Sequence, residues 1–224
     1  MGSVQGRSFQ TISTKRPWWK QPGTIVALAV FVFLGIAAGF LVKGPEESLL
    51  ARVKASDAIS PVCAYALGWR GIKNDTTRDA FEQILATGPT EKAAPEDVRR
   101  ACAYALGMTK QAHVALYLID ALKKDPSLPV RCTAARALGK TGEPMACEPL
   151  MAALGDGDSE MREAAANGCK DLNNKSAIDP LIERVEDGNP SVRRAVHEAL
   201  VALSGTVFDG VDEKKSWQKW RETH

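Results

Sequence analysis

No two of the five cysteines (Cys63, Cys102, Cys132, Cys147 and Cys169) form a C-x-x-C pair. That argues against a zinc site or a thioredoxin-like motif, and an odd count cannot close fully into disulfides. Histidine is also scarce, with His113, His197 and His224 the three present. They show no spacing that would converge on a catalytic centre. No Gly-rich phosphate loop follows a strand pattern, and "LGDGDSE" (Leu154–Glu160) lacks the ligand series and distal Glu of a calcium loop. A basic face is missing too. Of 29 Lys plus Arg, four (Arg7, Lys15, Arg16 and Lys20) fall in the first twenty residues, leaving 25 against 27 acids in the rest. Nucleic-acid binding needs a concentrated basic patch, so no nucleic-acid partner is expected.

What the sequence does have is a long apolar run. Gln21–Val42 carries no charge, and Thr24–Val42 is apolar for nineteen residues apart from Thr24. As a helix it reaches roughly 28 Å, close to the hydrocarbon thickness of a bilayer. The segment is longer than the apolar core of about 7–15 residues in a signal peptide, and it is apolar on every side, unlike a surface helix. Trp18 and Trp19 in "KRPWWK" suit the membrane interface, and Gly35 and Gly39 in "GIAAG" form a small-xxx-small stretch for helix contact. The pattern predicts a basic cytoplasmic tail (1–20), a transmembrane helix (21–43), a linker or stalk helix (44–58) and an extracytoplasmic domain (59–224), anchored in the inner membrane through Thr24–Val42.

The other feature is repetition. "CAYALG" occurs at Cys63–Gly68 and again at Cys102–Gly107. The doublet extends to "VRRACAYALG" from Val98, "VRCTAARALG" from Val130, "MREAAANGCK" from Met161 and "VRRAVHEALV" from Val192, in steps of 32, 31 and 31. "ISPVCAYALG" from Ile59 precedes them by 39. Each unit reads as two helices. The first has a stripe of small apolar residues such as Val130, Ala134, Ala137 and Leu138, followed by a turn in which Gly68, Gly107, Gly139 and Gly205 supply a left-handed residue. The second lies in "EPMACEPLMAAL" and "SAIDPLIERV". Asn189 is placed to cap a helix and Pro190 to open it. A single pair cannot bury its apolar face, so stacked copies make an all-α solenoid of about five helix pairs. Cys63, Cys102 and Cys147 take core positions, Cys169 takes the place of a Leu, and Cys132 matches exposed positions of other copies. Trp217 and Trp220 are expected to cap the last layer.

The pattern "VRxxAxxALG" at about 31 residues, with an Asp before the next "VR", resembles HEAT-like repeats, particularly the short kind also found in phycobilin lyases. It covers about Ile59–Gly205. The resemblance implies that Asp156 and Asp187 brace inter-repeat turns with Arg131, Arg162 and Arg193. The lyases hold a tetrapyrrole in the concave face and are soluble, so a membrane anchor departs from them. Iron-binding HEAT-repeat hydroxylases use several His-Glu pairs, whereas this chain has one, His197–Glu198.

The expected role is therefore a membrane-anchored scaffold or accessory subunit that binds a protein partner, with no enzymatic activity, cofactor or metal. Helix phase puts Lys110, His113, Tyr117, Met145, Glu148, Asp179 and Glu183 on the face of the second helices. Two alternatives are a lyase-like or cofactor-handling HEAT-repeat enzyme, and a complex subunit acting mainly through its transmembrane helix.

Overall fold

The computed structural model describes residues 45–55, 60–86, 94–207 and 213–223. The expected membrane helix lies outside the described residues, as do Trp18, Trp19, Gly35 and Gly39. The described residues form eleven α-helices and no strand. Helix α1 (Glu46–Ala55) precedes five helix pairs: α2 (Ser60–Arg70) with α3 (Asp75–Ala86), α4 (Glu96–Gly107) with α5 (Val114–Lys124), α6 (Leu128–Thr141) with α7 (Cys147–Ala153), α8 (Ser159–Leu172) with α9 (Ile178–Ile182), and α10 (Pro190–Ser204) with α11 (Glu213–Thr223). The first helices stack in chain order, α2 on α4 on α6 on α8 on α10.

The helix starts follow from local chemistry. Ser127, Asp158 and Asn189 stand at successive N-caps, where their side chains accept from the backbone N–H of Val130, Glu160 and Ser191. Each satisfies a donor that the first turn leaves free. Two residues into α4, α6, α8 and α10 come Val98, Val130, Met161 and Val192, all fully buried in the same register. Burial of a side chain this size is worth about 1.5–3 kcal/mol. The next residue is Arg in all four: Arg99, Arg131, Arg162 and Arg193. Arg99 donates from Nε and Nη2 to the two carboxylate oxygens of Asp125 at 2.8 and 2.9 Å, and Arg162 does the same to Asp187 at the same distances. Arg131, Arg162 and Arg193 each donate backwards from Nη1 to the backbone carbonyl of Asp125, Asp156 and Asp187. The inter-repeat Asp thus holds its own turn by accepting from the N–H two residues on, while the Arg side chains tie successive turns together.

Two expectations about local structure need correction. Gly68, Gly107 and Gly139 are not turn residues; all three lie inside helices. They permit close helix crossing. A Cβ on Gly68 would fall 2.6 Å from Ala105 Cα, one on Gly107 2.8 Å from Ala137 Cα, and one on Gly139 2.8 Å from Gly168 Cα. Left-handed backbone occurs three residues later in each unit, at Gly71, Lys110, Gly142 and Asn173, and at Gly205 after α10. Cys132, expected near the surface, is 4% exposed, because stacking of α4, α6 and α8 covers that side of α6. All five cysteines are buried and free.

The second helices differ from one another. α7 and α9 are short and follow 3-10 turns at Pro144–Ala146 and Lys175–Ala177. Pro149 and Pro180 fall in their first turns, where a missing N–H costs nothing but the chain upstream cannot continue as the same α-helix. At the far end, Trp217 of α11 is fully buried and its ring meets Trp220 edge-on, 6.0 Å between centroids.

Candidate functional site

The second-helix face is where charge and apolar surface are brought together outside the Arg–Asp ladder. Its centre is the seam between α3 and α5, which pack against each other. Helix α3 buries Thr77, Ala80, Phe81, Glu82 and Leu85. The spacing is that of an amphipathic helix, but two of the five buried positions are polar. Glu82 has an 8% exposed side chain, and its Oε1 makes no hydrogen bond. His113 Nε2 stands 3.1 Å from that oxygen and Arg78 Nε 3.8 Å from it, in ion-pair reach but not in hydrogen-bond alignment. Arg78 is fixed by its outer nitrogens: Nη1 donates to Asp75 Oδ1 at 2.6 Å and Gln111 Oε1 at 2.9 Å, and Nη2 donates to Asp79 Oδ1 at 3.3 Å. His113, immediately before α5, is half exposed and lies over Glu82.

The second-helix face also carries exposed apolar side chains among its charged ones. Leu116 on α5 is 58% exposed, and Met145, in the 3-10 turn packed against α5, is 47% exposed. Of the residues expected on this face, His113 joins the Glu82 cluster, Tyr117 is half-buried on α5, and Glu148 is exposed on α7. Lys110 is exposed just beyond α4, with φ of 53°. Asp179 and Glu183 face the cap. Arg221 of α11 comes within 3.8 Å of Asp179, and Lys214 within 3.7 Å of Glu183 and 3.8 Å of Glu186. Sequence reading missed Glu82, Arg78 and Leu116. The available signal was Glu82 itself, a carboxylate on the buried stripe of "DTTRDAFEQILA".

Other chemistry is sparse. Burial pushes the thiol of Cys132 up to about 11 and that of Cys169 up to about 12, and it also raises Cys102 and Cys147. These four side chains are thiols at neutral pH, and a thiol is a poor nucleophile. Glu198 of the His197–Glu198 pair binds Lys170 at 2.9 Å across α8 and α10. Among the described residues no three metal-ligating side chains cluster. On the opposite, first-helix face, the rings of Tyr65 and Tyr104 lie 5.3 Å apart, Lys140 sits 5.1 Å over Tyr104, and Trp69 is 83% exposed.

Stacked two-helix units with buried Val and braced Arg–Asp turns define an α-solenoid. A family model described as HEAT repeats matches residues 90–168 and 148–209, more than half of the sequence, and the chain belongs to the HEAT-repeat family. It is similar to phycocyanobilin lyase subunit alpha of Synechococcus elongatus, 33% identical over 133 residues, which is 56% of this chain and 45% of that protein. It is also similar to the bilin biosynthesis protein PecE of Mastigocladus laminosus, 35% identical over 89 residues, which is 38% of this chain and 33% of that protein. The matches thus span less than half the length of these relatives. Among solved structures, the complex of CpcE and CpcF of phycocyanin lyase from Nostoc sp. aligns with a TM-score of 0.60 at 24% identity, over 73% of this chain and 68% of that one. That likeness supports the fold.

These relatives correct three expectations. The reading as a scaffold without chemistry, and the reading that the chain is no enzyme, are overturned by relatives named as a lyase subunit and a bilin biosynthesis protein. Repeat pattern alone does not separate a binding solenoid from a catalytic one, since both bury the same stripes. Inner-membrane placement with a periplasmic solenoid is also set aside. It rested on the apolar run, whereas the relatives are named for bilin chemistry, and among the described residues no helix is long and apolar enough to cross a membrane.

Proposed function

We propose that this chain is a lyase-type HEAT-repeat subunit that binds a bilin on its second-helix face and presents it for reaction. The similarity to two bilin enzymes carries this reading, the longer match covering 56% of the chain. The face is suited to such a ligand. A bilin is a long conjugated chain of four pyrrole-type rings with apolar faces, ring N–H groups, two end-ring carbonyls and two propionates. Leu116 and Met145 offer apolar contact, while Glu82, Arg78 and His113 offer polar partners at one end of the same surface. Such a mixture of broad apolar contact and few placed polar groups is usual for small-molecule sites. Tyr117 and Glu148 extend the face towards α7, and Lys110 borders it. The buried, protonated cysteines are not placed to carry the bilin covalently, so the chain orients the ligand rather than storing it. We further propose that it works beside a second protein subunit, a reading supported by the two-protein make-up of the phycocyanin lyase complex.

Titration of the full chain with phycocyanobilin, followed by visible absorption and circular dichroism, tests the proposal. The expected result is a saturable band shift with induced dichroism and a dissociation constant of about 10 μM or tighter, roughly 7 kcal/mol of binding free energy or more. A free-bilin spectrum at every protein concentration up to about 100 μM, tenfold beyond that range, would overturn it.

A further inference from the structure

Four buried side-chain atoms among the described residues have no hydrogen bond: Thr77 Oγ1, Arg78 Nε, Glu82 Oε1 and Arg100 Nε. Three of them belong to the first two turns of α3. Buried polar atoms are nearly always paired and leaving one alone is costly, so three on one short segment ask for an explanation. The last turns of the same helix show nothing of the kind.

The geometry narrows the partner. Arg78 Nε is a donor and Glu82 Oε1 an acceptor, 3.8 Å apart on one side of the helix. A carboxylate docking on Arg78 would meet the charge of Glu82, with Asp75 and Asp79 already beside the guanidinium. An ammonium docking on Glu82 would meet Arg78. A neutral group with one donor and one acceptor on the same edge meets neither penalty. A lactam is such a group: its ring N–H and carbonyl oxygen lie side by side, N and O about 2.3 Å apart from amide bond lengths. The two end rings of a bilin are lactams.

We propose that Glu82 and Arg78 grip an end-ring lactam of the bilin. Glu82 Oε1 accepts from the ring N–H, and Arg78 Nε donates to the ring carbonyl. His113, half exposed with its Nε2 3.1 Å from Glu82 Oε1 but not hydrogen-bonded to it, swings aside as the ring enters. Gln111 and Asp75 hold the guanidinium so that its inner edge stays turned towards the seam. Leu116 and Met145 then lie along the path of the remaining rings. This inference rests on the bilin-binding reading above and specifies which end of the face takes which part of the ligand.

The test compares phycocyanobilin affinity and induced visible dichroism for the wild-type chain, Glu82→Gln, Arg78→Lys and a surface control, Arg136→Gln on the exposed side of the first helix α6. A second arm offers the wild type a bilin whose end-ring lactams are O-methylated, which removes the N–H and blocks the carbonyl. The expected result is 10- to 100-fold weaker binding for Glu82→Gln and Arg78→Lys, an unchanged control, and a similar loss when the wild type meets the methylated ligand. Should Glu82→Gln fail to fold, the methylated ligand still decides the matter on the wild type. Equal affinity of wild type and both variants for phycocyanobilin, or of the wild type for both ligands, overturns the lactam grip and leaves bilin binding standing. Absence of any bilin binding by the wild type overturns both.

Discussion

Replacing Gly139 with alanine is expected to destabilise the solenoid by about 2–3 kcal/mol, as overpacking of a tight contact does. For a chain of this size the melting temperature falls by roughly 5–10 °C. The cause is backbone contact. The new methyl group would collide with the carbonyl oxygen of Gly168 and lie 2.8 Å from its Cα, with Asp171 Cβ at 3.0 Å. None of these atoms is the end of a flexible side chain, so α6 and α8 must move apart. That separation also loosens Leu138 and Leu150, both fully buried. Gly157 is the matched control: it lies in the turn before α8, and a Cβ there meets nothing within 4 Å. Thermal melts of the two variants, side by side, should show a large drop for Gly139→Ala and little for Gly157→Ala. Equal melting temperatures would mean that the first helices are not packed through these glycines.

The second large effect is expected at Asp187. Its carboxylate takes both Arg162 bonds and the N–H of Asn189, and 4% of the side chain is exposed. Substitution by alanine leaves the Arg162 guanidinium partly buried without its counter-charge. Removing one partner of a buried pair costs about 3–5 kcal/mol, reduced here towards 2–3 because Arg162 keeps some solvent contact. The pH dependence carries a sign. Hydrogen bonding from Arg162 holds the Asp187 carboxyl below its ordinary range. A depressed folded-state value means that the stabilisation is fully present above the unfolded-state value of about 4 and is lost as pH falls through the lower folded-state value. Urea unfolding from pH 7 down to pH 2 should therefore show wild type and Asp187→Ala converging in acid, with the gap widest near neutrality. A gap that stays constant across that range would place the stabilisation elsewhere.

The elements that sequence made plain are those in which one residue type must recur. Val98, Val130, Met161 and Val192 fill one buried slot per layer, so apolarity repeats there and sets the register. The same holds for Ser127, Asp158 and Asn189, because few side chains cap a helix. The left-handed turn was misplaced for the opposite reason. Lys110 and Asn173 take that conformation where Gly71, Gly142 and Gly205 do in other units, so no single letter marks it. The conspicuous glycines at 68, 107 and 139 answer to the neighbouring helix instead, a constraint that depends on contacts across 30-odd residues.

The site was harder to read than the fold. Helix phase pointed to His113, Tyr117, Met145 and Glu148, which lie on the face proposed to take the ligand, because a solenoid exposes one face of every second helix. Asp179 and Glu183 had the right phase as well, but α11 folds back with Lys214 and Arg221 against them. Glu82 and Arg78 escaped notice since a polar residue on an apolar stripe looks like an imperfect repeat. Only three-dimensional packing reveals that their inner atoms are left unsatisfied. The lyase resemblance was visible in the repeat itself, yet the apolar run at Thr24–Val42 drew the reading towards a membrane scaffold.

The claim that the second-helix face binds a bilin is tested most directly by hydrogen–deuterium exchange of the full chain with and without saturating phycocyanobilin. Binding as described slows exchange in 75–86 and 111–124, with a smaller effect in 144–153, and leaves 60–70 unchanged. Protection confined to 60–70 and 101–108, around Trp69 and Tyr104, would contradict it by placing the ligand on the opposite face.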